Sequence, residues 1–312
     1  MNFRSLCLLG GLLLLTGCHV DNTLLEPNIV YSPPRTFVEK LPSGFPLFTK
    51  EERRQEWARE IFLAGQLARE LDWYRAITAY KRARILLPEE YALRRMEVDY
   101  GLIQCYYFGQ KYPEALLAYE ESSLVPPYTF PLLTDLSLIL SDAAENSGRG
   151  DCMLKWDSLL QTIDPQVASD LSVSRAIRKA DWLALAEYAV EREPVASLLT
   201  AYEGQKKSVK RAQLLNALLP GAGYLYVGQR NTAFTSFVLN ALFIAATYHF
   251  FHHSNIAAGL ITLSLETGWY FGGINGAGLA AKEYNERLYE GLARETLLDQ
   301  GLFPVLMLNH AF

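Results

Sequence analysis

The chain has 312 residues, a formal net charge of −5, 50% hydrophobic residues and a mean hydropathy of +0.03. That length supports one large domain or two moderate ones with a full core. The mildly acidic balance provides no electrostatic footprint for nucleic acid, which excludes that class of partner.

The first residues divide into three parts. Arg4 gives a basic start, Leu6–Leu15 an apolar run, and Thr16 and Gly17 are small residues ahead of Cys18, the layout of an export signal. The run is about ten residues, and at about 1.5 Å of rise per residue it falls short of a bilayer core of about 30 Å. At Leu15-Thr16-Gly17-Cys18 the chain resembles bacterial lipoproteins, whose signals end in a Leu-small-small-Cys box cut just before the cysteine. The resemblance implies that residues 1–17 are removed, that Cys18 carries the lipid, and that the protein is exported and lipid-anchored in the bacterial cell envelope, in either the inner or the outer membrane. The competing reading is a fortuitous cysteine after an ordinary signal. Cys105 and Cys152 fall at helical core-type positions; an exported protein could join them, and free cysteines also pack as small hydrophobes.

From Cys18 to about Lys50 the chain carries Pro27, Pro33, Pro34, Pro42 and Pro46 without a helical period. Proline removes donors and restricts its predecessor, so residues 18–50 read as an extended tether. Helices are expected from Thr49, a plausible cap ahead of Glu51 and Glu52.

Self-similarity then takes over. Leu63, Leu67, Trp73, Ala76, Tyr80, Ala83 and Pro88 recur as Leu102, Tyr106, Tyr112, Ala115, Tyr119, Ser122 and Pro127, each offset by 39 residues. A degraded third copy contains Ile139, Ala143, Cys152, Trp156 and Leu159, and a fourth is hinted at by Asp181-Trp182, Ala184 and Tyr188. The pattern resembles tetratricopeptide repeats, with a longer period than that family's usual length of about 34 residues. Small residues such as Ala76 let two antiparallel helices approach, and an aromatic one turn later fills the groove against the next pair. The resemblance implies that residues 51–203 form a helical-hairpin solenoid whose concave face binds a protein or peptide. A non-repetitive helical bundle is the alternative. Arg53, Arg54, Arg59, Arg69, Arg75, Lys81, Arg82 and Arg84 read as a solvated face, or as a means of steering an acidic partner.

Composition changes after the basic stretch Lys206, Lys207, Lys210 and Arg211. From Ala212 to Ala281 the only charged residues are Arg230 and Glu266. Leu218-Leu219-Pro220-Gly221-x-Gly223-x-x-Tyr226-x-Gly228 resembles a glycine-rich two-span membrane module found in bacteria. Residues 204–298 are therefore expected to form a membrane hairpin, with spans near Ala233–Phe251 and Ile256–Ala281 and a turn at Phe251–Asn255. Gly268, Gly272 and Gly276 share one helical face suited to helix packing, within the hairpin or between copies as a homo-oligomer. Glu266, with Asn240 or His249 as candidate partner, is either an intramembrane functional group or a surface residue of a half-inserted hairpin. His249, His252 and His253 offer no fixed ligand geometry, so no metal and no cofactor are expected. Residues 299–312 form an apolar tail, expected to dock on the hairpin.

The topology signals conflict. Export through Cys18 puts everything downstream outside the cytoplasm, yet both hairpin ends are basic and its turn has no Lys or Arg. The sequence thus points to an all-α protein, a tetratricopeptide-like solenoid followed by a glycine-rich apolar hairpin at a lipid bilayer. No Gly-x-Ser-x-Gly, His-Glu-x-x-His or phosphate-loop pattern occurs, so an enzyme is not expected. Two functions follow: an envelope scaffold that binds protein through its repeats, or a small oligomeric membrane component for transport or sensing in which the hairpin and Glu266 are active.

Overall fold

A computed structural model describes residues 25–125 and 127–312. The export signal and Cys18 lie outside the described residues. Every regular element among the described residues is helical, as the all-α expectation required. The described residues divide into two compact bodies, one of residues 29–188 and 295–312, the other of residues 25–28 and 189–294. The sequence reading placed boundaries at 203/204 and 298/299, and this division falls at 188/189 and 294/295.

In the first body, α1 (Arg35–Lys40) precedes four helical pairs. These are α2 (Glu56–Arg69) with α3 (Trp73–Leu86), α4 (Ala92–Phe108) with α5 (Tyr112–Glu120), α6 (Leu133–Asn146) with α7 (Gly150–Ile163), and α8 (Pro165–Lys179) with α9 (Trp182–Glu191). Helix α2 buries Trp57, Ala58, Ile61, Ala64 and Ala68, one stripe at helical spacing. The pairs share one turn. A residue with positive φ (Leu71, Gln110, Gly148 or Ala180) closes the first helix. The next N–H then reaches back to a carbonyl five residues earlier: Asp72 to Leu67, Lys111 to Tyr106, Arg149 to Ala144 and Asp181 to Ala176. This closure satisfies helix-end carbonyls otherwise left without donors. Asp72 and Asp181 then cap the second helix by accepting from the N–H groups of Arg75 and Ala184.

Packing between pairs follows the small-then-aromatic logic. Ala76 and Ala115 are fully buried. The Tyr80 ring occupies the place a side chain at Gly101 would need, and Tyr119 meets Trp156 edge-on at 5.1 Å. Buried charges cluster where α6, α7 and α8 meet. Arg175 bonds Glu145 at 2.8 Å and Asp157 at 2.6 Å, while Arg178 bonds Asp142 at 2.7 Å. Burial pushes the Glu145 carboxyl up, but Lys179, Arg178 and Arg175 outweigh it and hold it below the usual range. Cys105 and Cys152 are both free thiols, and Cys105 is wholly buried in α4.

Residues 29–50 depart from the expected tether. Val38 is wholly buried, Phe45 lies against Tyr100 and Phe130, and Phe48 lies between Trp57 and the Arg94 guanidinium. Arg94 also donates to the Pro46 and Leu47 carbonyls and to Glu52. Prolines exclude long helices here, but the apolar residues between them still find a surface to cover.

In the second body, α10 (Glu193–Gln205), α11 (Val209–Leu218), α12 (Ala222–Val227) and α13 (Arg230–His252) lead into α14 (Ile256–Asp299), whose residues to 294 belong here. Where α11, α12 and α14 meet, the core is built from small residues: Ala212, Ala277 and Ala281 are fully buried beside Val209 and Val227. Large side chains of α13 point outward, with Phe234 and Tyr248 both 71% exposed, whereas Tyr202 and Tyr289 are buried. Among the described residues, only α13 is long and apolar enough to cross a membrane. The second expected span, 256–281, is helical but interrupted by Glu266 and several glycines.

Candidate functional site

Two places in the chain concentrate polar groups in apolar surroundings. The first is an inner face of the first body, where α2, α4 and α6 lie side by side. The tail lies on this face. Leu302, Phe303, Val305 and Leu308 are buried, and Phe303 stacks on Tyr31 at 4.7 Å. The tail's partners are thus in the first body, in place of the hairpin docking that was expected.

Its last residues are held through the main chain. The Asp135 carboxylate accepts from the N–H groups of Asn309 (3.2 Å) and His310 (2.9 Å) and contacts the His310 imidazole Nδ1 at 3.0 Å. Gln104 Nε2 donates to the His310 carbonyl at 2.9 Å, and Arg69 donates to the Phe312 carbonyl. The Ala311 N–H donates to Pro42 at 3.0 Å. The Phe312 ring lies 5.9 Å from Trp73 and 5.8 Å from Phe108, which stack on each other. Asp135 and Gln104 are 2% and 1% exposed, so water does not solvate them. Such groups hold an extended polypeptide by its backbone.

The second place is the glycine motif with the hairpin it leads into. Pro220 and Gly221 separate α11 from α12, and Gly221 takes φ +95°. The buried Asn216 side chain accepts from the Gly221 N–H at 2.8 Å. A side chain at Gly221 would strike the Ala233 carbonyl. One at Gly223 would strike the Ala212 carbonyl and the Ala277 methyl, so glycine permits α11, α12 and α14 to meet. Gly228, at φ +94°, closes α12 before α13. Tyr226 accepts from the Ser208 N–H at 3.2 Å, and Lys207 sits 5.1 Å from its ring. Asn285 pairs with both main-chain groups of Lys207, at 2.7 and 2.8 Å.

The stripe Gly268, Gly272 and Gly276 is not uniform. Gly276 lies under the Tyr224 hydroxyl, whereas Gly268 and Gly272 face open space. Those two, with Trp269, Ser236 and Tyr224, border a groove of about 640 Å³. The seam between α13 and α14 is instead marked by Gly273, near Ser236, and Gly259, under Phe251. That antiparallel register sets Glu266 opposite Phe243 and Ile244, between the levels of Asn240 and Thr247. Glu266 is 8% exposed and Asn240 2%. The Glu266 Oε2, Asn240 Oδ1, Ser236 Oγ and Thr247 Oγ1 atoms are buried without hydrogen-bond partners. Asn240 does donate, to the Ser236 carbonyl at 2.6 Å. His249, the other candidate partner of Glu266, lies at the turn end with its ring 4.2 Å from His253. Among the described residues no group of three or more His, Cys, Asp or Glu could hold a metal ion.

Sequence reasoning missed Arg69 as a backbone ligand, and Gln104, Asp135, Asn216 and Asn285 altogether. A signal existed for two of them. Gln104 stands alone between Ile103 and Cys105, and Asp135 within a leucine-rich stretch. A lone polar residue on the buried side of a helix implies a partner. No known protein family, curated protein or solved structure matches this chain.

Proposed function

We propose that this protein is a membrane-anchored envelope lipoprotein whose tetratricopeptide-like helical pairs act as a protein-interaction scaffold. The single observation that carries the reading is the inner face, where Asp135, Gln104 and Arg69 grip an extended segment by its backbone. A surface with that chemistry suits peptide capture. Cys18 as the lipid site rests on the sequence alone. The outward Phe234, Leu242, Tyr248 and Ile261, each more than half exposed, support contact of the hairpin with a bilayer. The test is affinity capture of the tagged full chain from gently solubilised membranes, beside a Gln104→Ala/Asp135→Ala variant. A stoichiometric protein partner lost with the variant is expected; recovery of no partner would overturn the scaffold.

The unpartnered oxygens around Glu266 favour a second reading, in which the hairpin itself moves or senses a proton or small cation. Glu266→Gln separates the two. It leaves partner capture unchanged if the protein is a scaffold and abolishes membrane activity if the hairpin is the working part.

A further inference from the structure

The tail divides into two parts of different character. Its root, Leu302–Leu308, is a piece of core: Leu302, Phe303, Val305 and Leu308 are all buried. Its tip, Asn309–Phe312, buries only Ala311 fully and is held by side chains acting on main-chain groups. Among the described residues the Asp135 carboxylate has hydrogen bonds to Asn309 and His310 alone, and Gln104 Nε2 donates to the His310 carbonyl while its Oε1 has no partner. These desolvated polar groups spend their hydrogen bonds on main-chain atoms, which any extended segment carries, and not on the identity of a side chain. Their presence points to a site built to bind backbone.

We propose that Asn309–Phe312 is a displaceable occupant of a peptide site, and that the site's other ligand is an extended partner segment with a small residue followed by an aromatic one. This rests on the scaffold reading and deepens it by naming the ligand chemistry and an internal competitor. The small residue is set by Ala311, 3% exposed, and the aromatic by the stacked Trp73–Phe108 pair, against both of whose rings Phe312 lies. Nothing else in the tip is read by its side chain except His310, whose imidazole meets Asp135. Trp73 also borders an open cavity of about 520 Å³ with Ile77, Cys105 and Lys111, giving a longer ligand room the tip does not use. Release of the tip is inexpensive, because the entropy regained by a few residues is comparable with the net yield of the hydrogen bonds they surrender.

The experiment uses the full chain in detergent and, as probe, a fluorescent peptide with the sequence of residues 305–312. Wild type, Phe312→Ala and Phe312→Ala/Asp135→Ala are titrated by fluorescence anisotropy. Phe312→Ala, its own tip weakened, is expected to bind the probe at least about tenfold tighter than wild type, a difference of about 1.4 kcal/mol. The double variant is expected to lose that gain, as is a probe whose last residue is alanine. Equal binding by all three chains, or by none, overturns the proposal. A second measurement needs no variant. In wild-type hydrogen exchange, the Asn309, His310 and Ala311 amides should open about a hundredfold more readily than those of α4 and α6. Protection equal to that of the core would make the tip a fixed element and overturn the proposal. The probe requires no partner, so peptide binding with an empty affinity capture would retain this site and reject the scaffold role.

Discussion

The two bodies are built on opposite plans. The first buries Trp57, Tyr80, Trp156, Leu138 and Ile139 and neutralises its buried charges in pairs. The second buries alanines and glycines where α11, α12 and α14 meet, keeps its large buried groups such as Tyr289 away from that junction, and turns Phe234, Leu242, Tyr248 and Ile261 outward. In the first, water expulsion from large side chains supplies the driving force. In the second, tight backbone approach holds α11, α12 and α14 together while the large apolar groups of α13 stay exposed.

That contrast can be broken from either side, and the largest effect is expected in the first body. Arg175→Ala removes the charge-assisted hydrogen bonds to Glu145, Asp157 and Ser141, at about 1.5–3 kcal/mol each, although Glu145 keeps Arg178 and Lys179. Calorimetry should register it as a lowered transition for the repeats. Gly223→Val comes next, because the new side chain meets the Ala212 carbonyl and Ala277, and overpacking of this kind costs about 1–3 kcal/mol or more. Hydrogen exchange should rise in α11 and α12 and stay unchanged in α2–α7. Asn216→Ala removes the acceptor for the buried Gly221 N–H, for about 1–3 kcal/mol, and should loosen the same region less.

Acid sharpens the comparison more gently. Arg94 holds the Glu52 carboxyl down from 4.5 to about 2. A carboxyl lowered in the folded state adds stability above its unfolded value and loses it as pH falls through the folded value. The first body should therefore weaken between pH 4.5 and about 2, and Glu52→Gln should flatten the melting curve against pH in that window. The smallest effect belongs to Gly268→Ala and Gly272→Ala. Both positions face open space, so each should move stability by no more than about 0.5 kcal/mol. If the face joins two copies, sedimentation would report a loss of association without a loss of fold.

Much of the repeat region was legible because its signals are local. The offset that links Trp73 with Tyr112 also links Leu71 with Gln110, the positive-φ residues of two turns. An aspartate stands before Trp73 and before Trp182, and each caps the helix that follows. The glycine motif could be read as a break in the helix, but not as a knot around Asn216, because its neighbours come from helices distant in sequence. The candidate binding face was the least legible part. Arg69, Gln104 and Asp135 lie on three different helices and acquire a shared role only when those helices line up.

By itself the sequence determined the all-helical class, the repeated pairs and the change from charged to apolar composition, since each follows from periodicity or residue type over short distances. Only the tertiary structure decided that residues 29–50 cover the repeats, that the tail fills the inner face, and that Gly223 rather than Gly268 takes the tightest approach. The physical reason is that desolvation and steric exclusion depend on which surfaces meet, and residues tens to hundreds of positions apart supply those surfaces.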